Sequence, residues 1–447
     1  MSGEKPTETV IPEGHFVHPS FTEAFRFWAK LGFISFGGPT GQIAIMHTEL
    51  VEKKRWISES RFLHALNYCM LLPGPEATQL ATYIGWLLHG TWGGIIAGAF
   101  FVIPSAFILL ALSWIYAAHG TVPWIAAVFF GLKPAVTAIV AAAVIRIGTK
   151  ALKNEVMYAL AAAAFVAIYF FHVPFPWIVL SAGLIGLLGS KYWPGKFRVI
   201  KGRDGAAANE PQIVVHEQAR VRPTLARGLK VIAVCTVLWW VPVLLLGLWR
   251  GWDSVFVREG LFFSKAAMVT FGGAYAVLPY VAQAAVQHYG WLRTGQMLDG
   301  LGLAETTPGP LIMVAQFVGF MGGWSHANGM APWLAGTIGA LITTWMTFVP
   351  CFLWIFLGAP YIELMRGEVR FTSALSAVTA AVVGVVLNLA VWFGKNTLFP
   401  ESGGVNWFAI GVGVIAFLGM WRWKWGIVPV VLGSWALGLV YHWVVGR

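Results

Sequence analysis

The sequence predicts an all-α polytopic membrane protein made of two inverted homologous halves with broken, re-entrant helical hairpins. Three observations lead there. Apolar residues make up 58% of the 447 and charged residues only 11%, about half the charged share of a soluble domain. Segments 77–132 and 306–362 contain no Asp, Glu, Lys or Arg, and such lengths of uncharged apolar chain belong in a bilayer. Helix-breaking Phe-Gly-Gly and Pro-Gly-Pro motifs interrupt the apolar sequence twice, at a constant spacing. This composition excludes disorder, a disulfide scaffold and a soluble enzyme. The formal charge of +11 then concerns loops and orientation, not nucleic acid. Cys69, Cys235 and Cys351 are scattered without a CxxC, so neither zinc nor a disulfide framework is implied.

Residues 1–20 carry Glu4, Glu8 and Glu13 and no apolar run, so a polar cytoplasmic tail is expected, not a cleaved signal peptide. A first half is expected over 21–189, a basic connector over 190–228, a linking transmembrane helix over 229–249, and a second, inverted half over 250–447. Nine segments read as full spans: 92–118, 122–146, 156–171, 174–189, 229–249, 331–359, 371–394, 405–420 and 425–445. The pair 156–171 and 174–189 is short and divided by Phe171-His172-Val173-Pro174, as two thin or tilted spans would be. Residues 190–223 hold seven basic and three acidic residues, a net of +4, which places this loop in the cytoplasm. The loop with Arg146, Lys150 and Lys153 lies two crossings earlier and is also basic, while the turns at 119–121 and 172–176 carry no charge.

Between the spans lie the breaks. Phe36-Gly37-Gly38-Pro39 and Pro73-Gly74-Pro75 stop helices, because Pro lacks an N–H and restricts the residue before it. Phe271-Gly272-Gly273 and Pro308-Gly309-Pro310 repeat them at an offset of 235 residues, as do Phe262 for Phe27, Lys265 for Lys30 and Trp291 for Trp56. One register held across all of these indicates an internal duplication. An odd number of spans separates the copies, so the second is expected upside down, as in many secondary transporters. The basic loop Glu52-Lys53-Lys54-Arg55 stays on the cytoplasmic side if both broken segments of the first half are re-entrant hairpins. Its counterpart, 285–295, carries only Arg293 and is expected outside.

Non-helical backbone at membrane depth must be covered by protein or line a watery cavity. Pro39, Pro75 and Pro310 stand where new half-helices would start, each offering free N–H groups and about half a positive charge. Four such starts complement a dianion. Gly37, Gly38, Gly74, Gly272, Gly273 and Gly309 would let an oxyanion reach the backbone; the plainer reading is a set of kinks for close helix packing. Lys30 and Lys265 precede Phe-Gly-Gly by six residues in both halves, placed either to attract the anion or to snorkel. Lys133 falls in the middle of 122–146 and needs a function or an interior partner such as Glu76 or Glu305. Those two carboxylates flank the Pro-Gly-Pro motifs, either balancing helix dipoles or carrying protons. Gln42, Asn67, Thr78, Gln79, Thr306 and Thr307 offer hydrogen bonds to oxyanion oxygens or serve in packing. No HExxH, Walker loop, GxSxG or His/Cys cluster stands in the sequence, so neither catalysis nor a cofactor is expected.

Phe36-Gly37-Gly38-Pro39 with Gln42-Ile43-Ala44, Leu72-Pro73-Gly74-Pro75 with Gln79-Leu80-Ala81, and Gly131-Leu132-Lys133-Pro134-Ala135-Val136 resemble the first domain of the chromate ion transporter family. Thr270-Phe271-Gly272-Gly273-Ala274-Tyr275-Ala276-Val277-Leu278-Pro279 and Thr306-Thr307-Pro308-Gly309-Pro310 resemble its second. The resemblance covers about residues 21–445. It implies a long-chain member that exports chromate using the proton motive force and confers resistance to it. A sulfate-like oxyanion importer or channel is the alternative; a non-transporting membrane enzyme or scaffold lacks its residues. The expected partners are the oxyanion and the lipid bilayer, with a homodimer left open and no nucleic acid. The expected location is the bacterial inner membrane, with the N-terminus cytoplasmic and the C-terminus external.

Overall fold

The computed structural model describes residues 18–197, 224–362, 369–400 and 403–445. Most of the polar tail and connector therefore lies outside the described residues. The helices are α1 (Phe21–Ile34), α2 (Gly38–His47), α3 (Glu59–Leu71), α4 (Glu76–His119), α5 (Pro123–Ala151), α6 (Glu155–Tyr169), α7 (Phe175–Tyr192), α8 (Pro194–Phe197) and α9 (Leu225–Arg250). The second series is α10 (Val255–Val269), α11 (Ala274–Gln283), α12 (Thr294–Thr306), α13 (Val314–Ser325), α14 (Pro332–Ile362), α15 (Val369–Leu398), α16 (Trp407–Arg422) and α17 (Ile427–Val445). No strand occurs among the described residues. In hydrocarbon a helix satisfies its own backbone, and an open strand edge does not. Seven of these helices are long and apolar enough to cross a membrane. Two expected spans, 156–171 and 405–420, appear as the shorter apolar helices α6 and α16. The chain is thus a multi-pass membrane protein. Large apolar side chains such as Leu229, Leu245 and Leu248 on α9 are exposed, as lipid-facing residues should be.

Both broken segments of the first half turn back on themselves. α1 runs inward from Ser20, whose hydroxyl accepts the Glu23 amide, the usual capping of a helix start. After Phe36-Gly37 the chain returns through α2 and a π-helical turn, Thr48–Lys53. It arrives beside the beginning of α1: Lys54 Nζ lies 3.4 Å from Glu23, and the rings of Phe27 and Trp56 are 5.1 Å apart. α3 then enters and α4 leaves, until His89 and Gly90 take non-helical angles. Here His18 bonds the Leu88 carbonyl at 2.9 Å. From Gly90 the chain reverses, and the rest of α4 packs antiparallel on its own first turns, Gly85 closing on Gly93 and Gly98 on Thr82. Small residues permit this approach, as in membrane helix pairs generally.

The second half repeats these parts in order. α10, α11 and α12 follow α1, α2 and α3 at the same 235-residue offset, including a second π-helical turn, Ala284–His288. Phe262 and Trp291 stack edge to face at 5.7 Å, as Phe27 and Trp56 do. α13 and α14 form a hairpin closed at Gly319 and Gly339. The long helix α14 begins beside the end of α13, where Gly323 meets Ala335, and ends with Phe356 over Gly94, just past the reversal in α4. At 1.5 Å per residue, α14 separates the open ends of the two hairpin sets by a full span.

Candidate functional site

The four breaks meet. The Gly74 amide donates to the Thr270 carbonyl at 2.7 Å, and the Gly309 amide donates to the Ser35 carbonyl at 2.8 Å. Adding 235 to 74 and 35 gives 309 and 270, so one contact is made twice with the halves exchanged. Gln42, on α2, donates its amide to the Gly309 carbonyl, and Gln79, on α4, donates to Pro73 at 2.9 Å. Both glutamines are buried, at 1% and 0% exposure, and the Oε1 of each lacks a hydrogen-bond partner.

The helix starts here differ from five of those elsewhere, although α5, α7 and α10 also begin without a side-chain cap. Ser20, Ser58, Asn154, Thr224 and Asn406 cap α1, α3, α6, α9 and α16 with their side chains. Gly37, Pro75, Gly273 and Pro310 precede the four starts at the breaks and have no side chain that can cap. Apart from the Glu76 amide, which meets its own carboxyl, their first N–H groups and the positive ends of the dipoles are left to whatever occupies the site. Gly37, Gly38, Gly74, Gly272, Gly273 and Gly309 all have positive φ. At Gly273, with φ of 93°, an added Cβ would stand 2.8 Å from Glu76 Oε1. The Glu76 carboxyl bonds its own amide at the start of α4 and lies against Gly273 of the second half.

Glu305 ends α12 at 3% exposure. Tyr275, in the first turn of α11, donates its hydroxyl to Glu305 Oε1, and Glu305 Oε2 has no partner. The Arg146 guanidinium lies 6.0 Å over the Tyr275 ring and acts on both Tyr275 and Glu305. Thr307 is buried, but its hydroxyl is turned to the Ala304 carbonyl at 3.1 Å.

The sequence-predicted residues therefore divide. Gly37, Gly38, Gln42, Gly74, Glu76, Gln79, Gly272, Gly273, Glu305, Thr307 and Gly309 lie on the segments that meet. Lys30 and Lys265 do not join them: both are exposed, on faces of α1 and α10 opposite the buried stripes. Their repetition at equal spacing reflects the repeated helix, whose outer face is a good place for a snorkelling lysine. Lys133 is partly buried and pairs with neither Glu76 nor Glu305. Its partner is Asp299, 3.8 Å away on α12. Arg146, Tyr275 and Asp299 went unrecognised, Arg146 because it reads as a loop cation near the end of its span.

Buried, uncapped helix starts gathered inside a duplicated multi-pass bundle define a membrane transporter rather than an enzyme. The chromate transporter family matches residues 22–187 and again 258–439, and the chain belongs to it. It is 32% identical to the chromate transport protein of Pseudomonas aeruginosa, over 93% of this chain and 91% of that one. It is 28% identical to the chromate transport protein of Cupriavidus metallidurans, over 89% of each. No solved structure gives a significant match.

Proposed function

We propose that this protein is a secondary transporter that carries chromate, a tetrahedral dianion, out of the cytoplasm and so confers resistance to it. The observation that carries the reading is the meeting of four uncapped helix starts through the crossed bonds of Gly74 and Gly309. Each start presents about half a positive charge, and four together match a dianion. The halves lie inverted about a two-fold axis in the membrane plane, supported by the exchanged contacts and by the course of α14. The protein sits in the bacterial inner membrane with its N-terminus inside and its C-terminus outside, following the basic loops.

Direction follows from the membrane potential. One charge is worth about 2.3 kcal/mol per 100 mV, so at roughly 150 mV, inside negative, a dianion releases about 7 kcal/mol on leaving. The electrical part of the proton motive force thus favours export. Sulfate has the same shape and charge and is the second substrate this site accommodates. Chromate flux in proteoliposomes, with and without a potential and a pH gradient and with sulfate as competitor, is the test. Potential-driven chromate movement toward the positive side is expected; its absence overturns the reading.

A further inference from the structure

A second group of charges lies on α12, six residues or about 9 Å before Glu305 along the helix. Asp299 is 3% exposed. Tyr116 donates its hydroxyl to Oδ2 at 2.8 Å, and Lys133 Nζ lies 3.8 Å from the same oxygen. Arg293, exposed at the cap of α12, acts on it electrostatically. Oδ1 has no hydrogen-bond partner. Lys133 and Tyr116 come from α5 and α4 of the first half, Asp299 and Arg293 from the second. Among the described residues, no titratable side chain of α13, α15 or α17 joins the groups acting on Asp299.

Two cations here face one carboxylate. While Asp299 is ionised, it occupies Lys133 and accepts the Tyr116 hydrogen. Once it takes a proton, Lys133 and Arg293 keep two positive charges with no other counter-ion among the described residues, and the Tyr116 hydroxyl is free to donate elsewhere. Two charges and a hydroxyl donor suit a tetrahedral oxyanion. We propose that Asp299 is the protonatable counter-ion of an oxyanion station formed by Lys133, Arg293 and Tyr116, so that a proton and the anion bind together. The proposal rests on the reading of the protein as a chromate transporter. Linkage makes the coupling reciprocal: a bound anion strengthens proton binding at Asp299. A dianion leaving with one proton still carries one net negative charge outward, so the potential continues to drive it.

The test measures chromate binding to the purified full-length protein across a pH series, comparing wild type with Asp299→Asn, Asp299→Glu and Lys133→Met. Comparison at each pH cancels the protonation of chromate itself. Wild type should lose affinity relative to Asp299→Asn as pH rises, by up to about tenfold per pH unit for one linked proton. Asp299→Glu should keep the wild-type trend. Lys133→Met should bind at least tenfold more weakly, while Lys133→Arg, still cationic but broader, should retain part of the affinity. A constant ratio between wild type and Asp299→Asn at every pH overturns the proposal and leaves the transporter reading standing. Wild-type protein that binds no chromate overturns both. If Asp299→Asn does not fold, wild-type affinity in Lys133→Met at every pH is the refuting result.

Discussion

Gly74 and Thr270, both buried, join the two halves: the Gly74 amide donates to the Thr270 carbonyl at 2.7 Å, and Gly309 and Ser35 return the same bond at 2.8 Å. A contact that recurs with its partners exchanged is isologous, the kind two-fold related units make. These bonds consume two of the amides near the breaks and hold the remaining helix starts face to face. The site is therefore assembled only when both halves are present.

Gly273→Val should reduce chromate flux at least tenfold. The new Cβ meets the Glu76 carboxylate, and a β-branched residue at φ of 93° adds strain of about 1–2 kcal/mol or more. Gly38→Val meets only the Tyr275 hydroxyl, at 3.9 Å, and acts mainly through its φ of 66°. Flux in proteoliposomes, with inserted protein quantified, checks both; normal flux in the pair refutes this siting of the anion.

Lys30→Gln and Lys265→Gln should each leave flux within about twofold of wild type. Exposed lysines at a helix surface contribute little fixed field at a buried site, because solvent screens them. A large loss in either variant would show that the exposed lysine heads feed the path after all.

Lys54→Cys and Arg293→Cys should label from opposite sides of the membrane. All three native cysteines are buried and can be replaced for the experiment. Labelling of both from one side contradicts the inverted arrangement.

Glu259→Gln should raise the thermal stability of the protein. Glu259 is fully buried on α10, facing Gly322 and Gly339, and neither carboxylate oxygen has a hydrogen-bond partner. An unsatisfied buried polar group costs about 1–3 kcal/mol, more when charged, and the amide removes the ionisable part of that cost. The first half has Ala24 at the equivalent place, which shows that the fold does not need an acid there. Thermal unfolding in detergent, with the two proteins side by side, measures the change.

The hairpins were legible because Gly and Pro act locally: Phe36-Gly37-Gly38-Pro39 stops a helix whatever surrounds it. The duplication was legible because it preserves spacing. The face of α1 that carries Lys30 is written in its pattern, with Ala24, Phe27, Trp28 and Leu31 at helical spacing on the buried side and Glu23, Arg26 and Lys30 on the exposed side; the equal spacing of Lys30 and Lys265 in the two halves outweighed it. The pairing of Lys133 with Asp299 spans 166 residues and depends on how α5 crosses α12, so Glu76 and Glu305, beside conspicuous motifs, drew attention first. Arg146 reaches the second-half break only through its long side chain, and spacing along one helix carries no sign of that reach.

α9 has no counterpart in either copy. On the proposed topology each half crosses the membrane four times, an even number that returns the chain to its starting side. Joined directly, two such copies would lie parallel, and their breaks would enter from one face. On that topology, one extra crossing of 26 residues turns the second copy over. A helix with so little of its surface buried does its work by being counted rather than by being packed. Two separate half-length chains, each inserted in its own orientation, would need no such helix to build the same paired site.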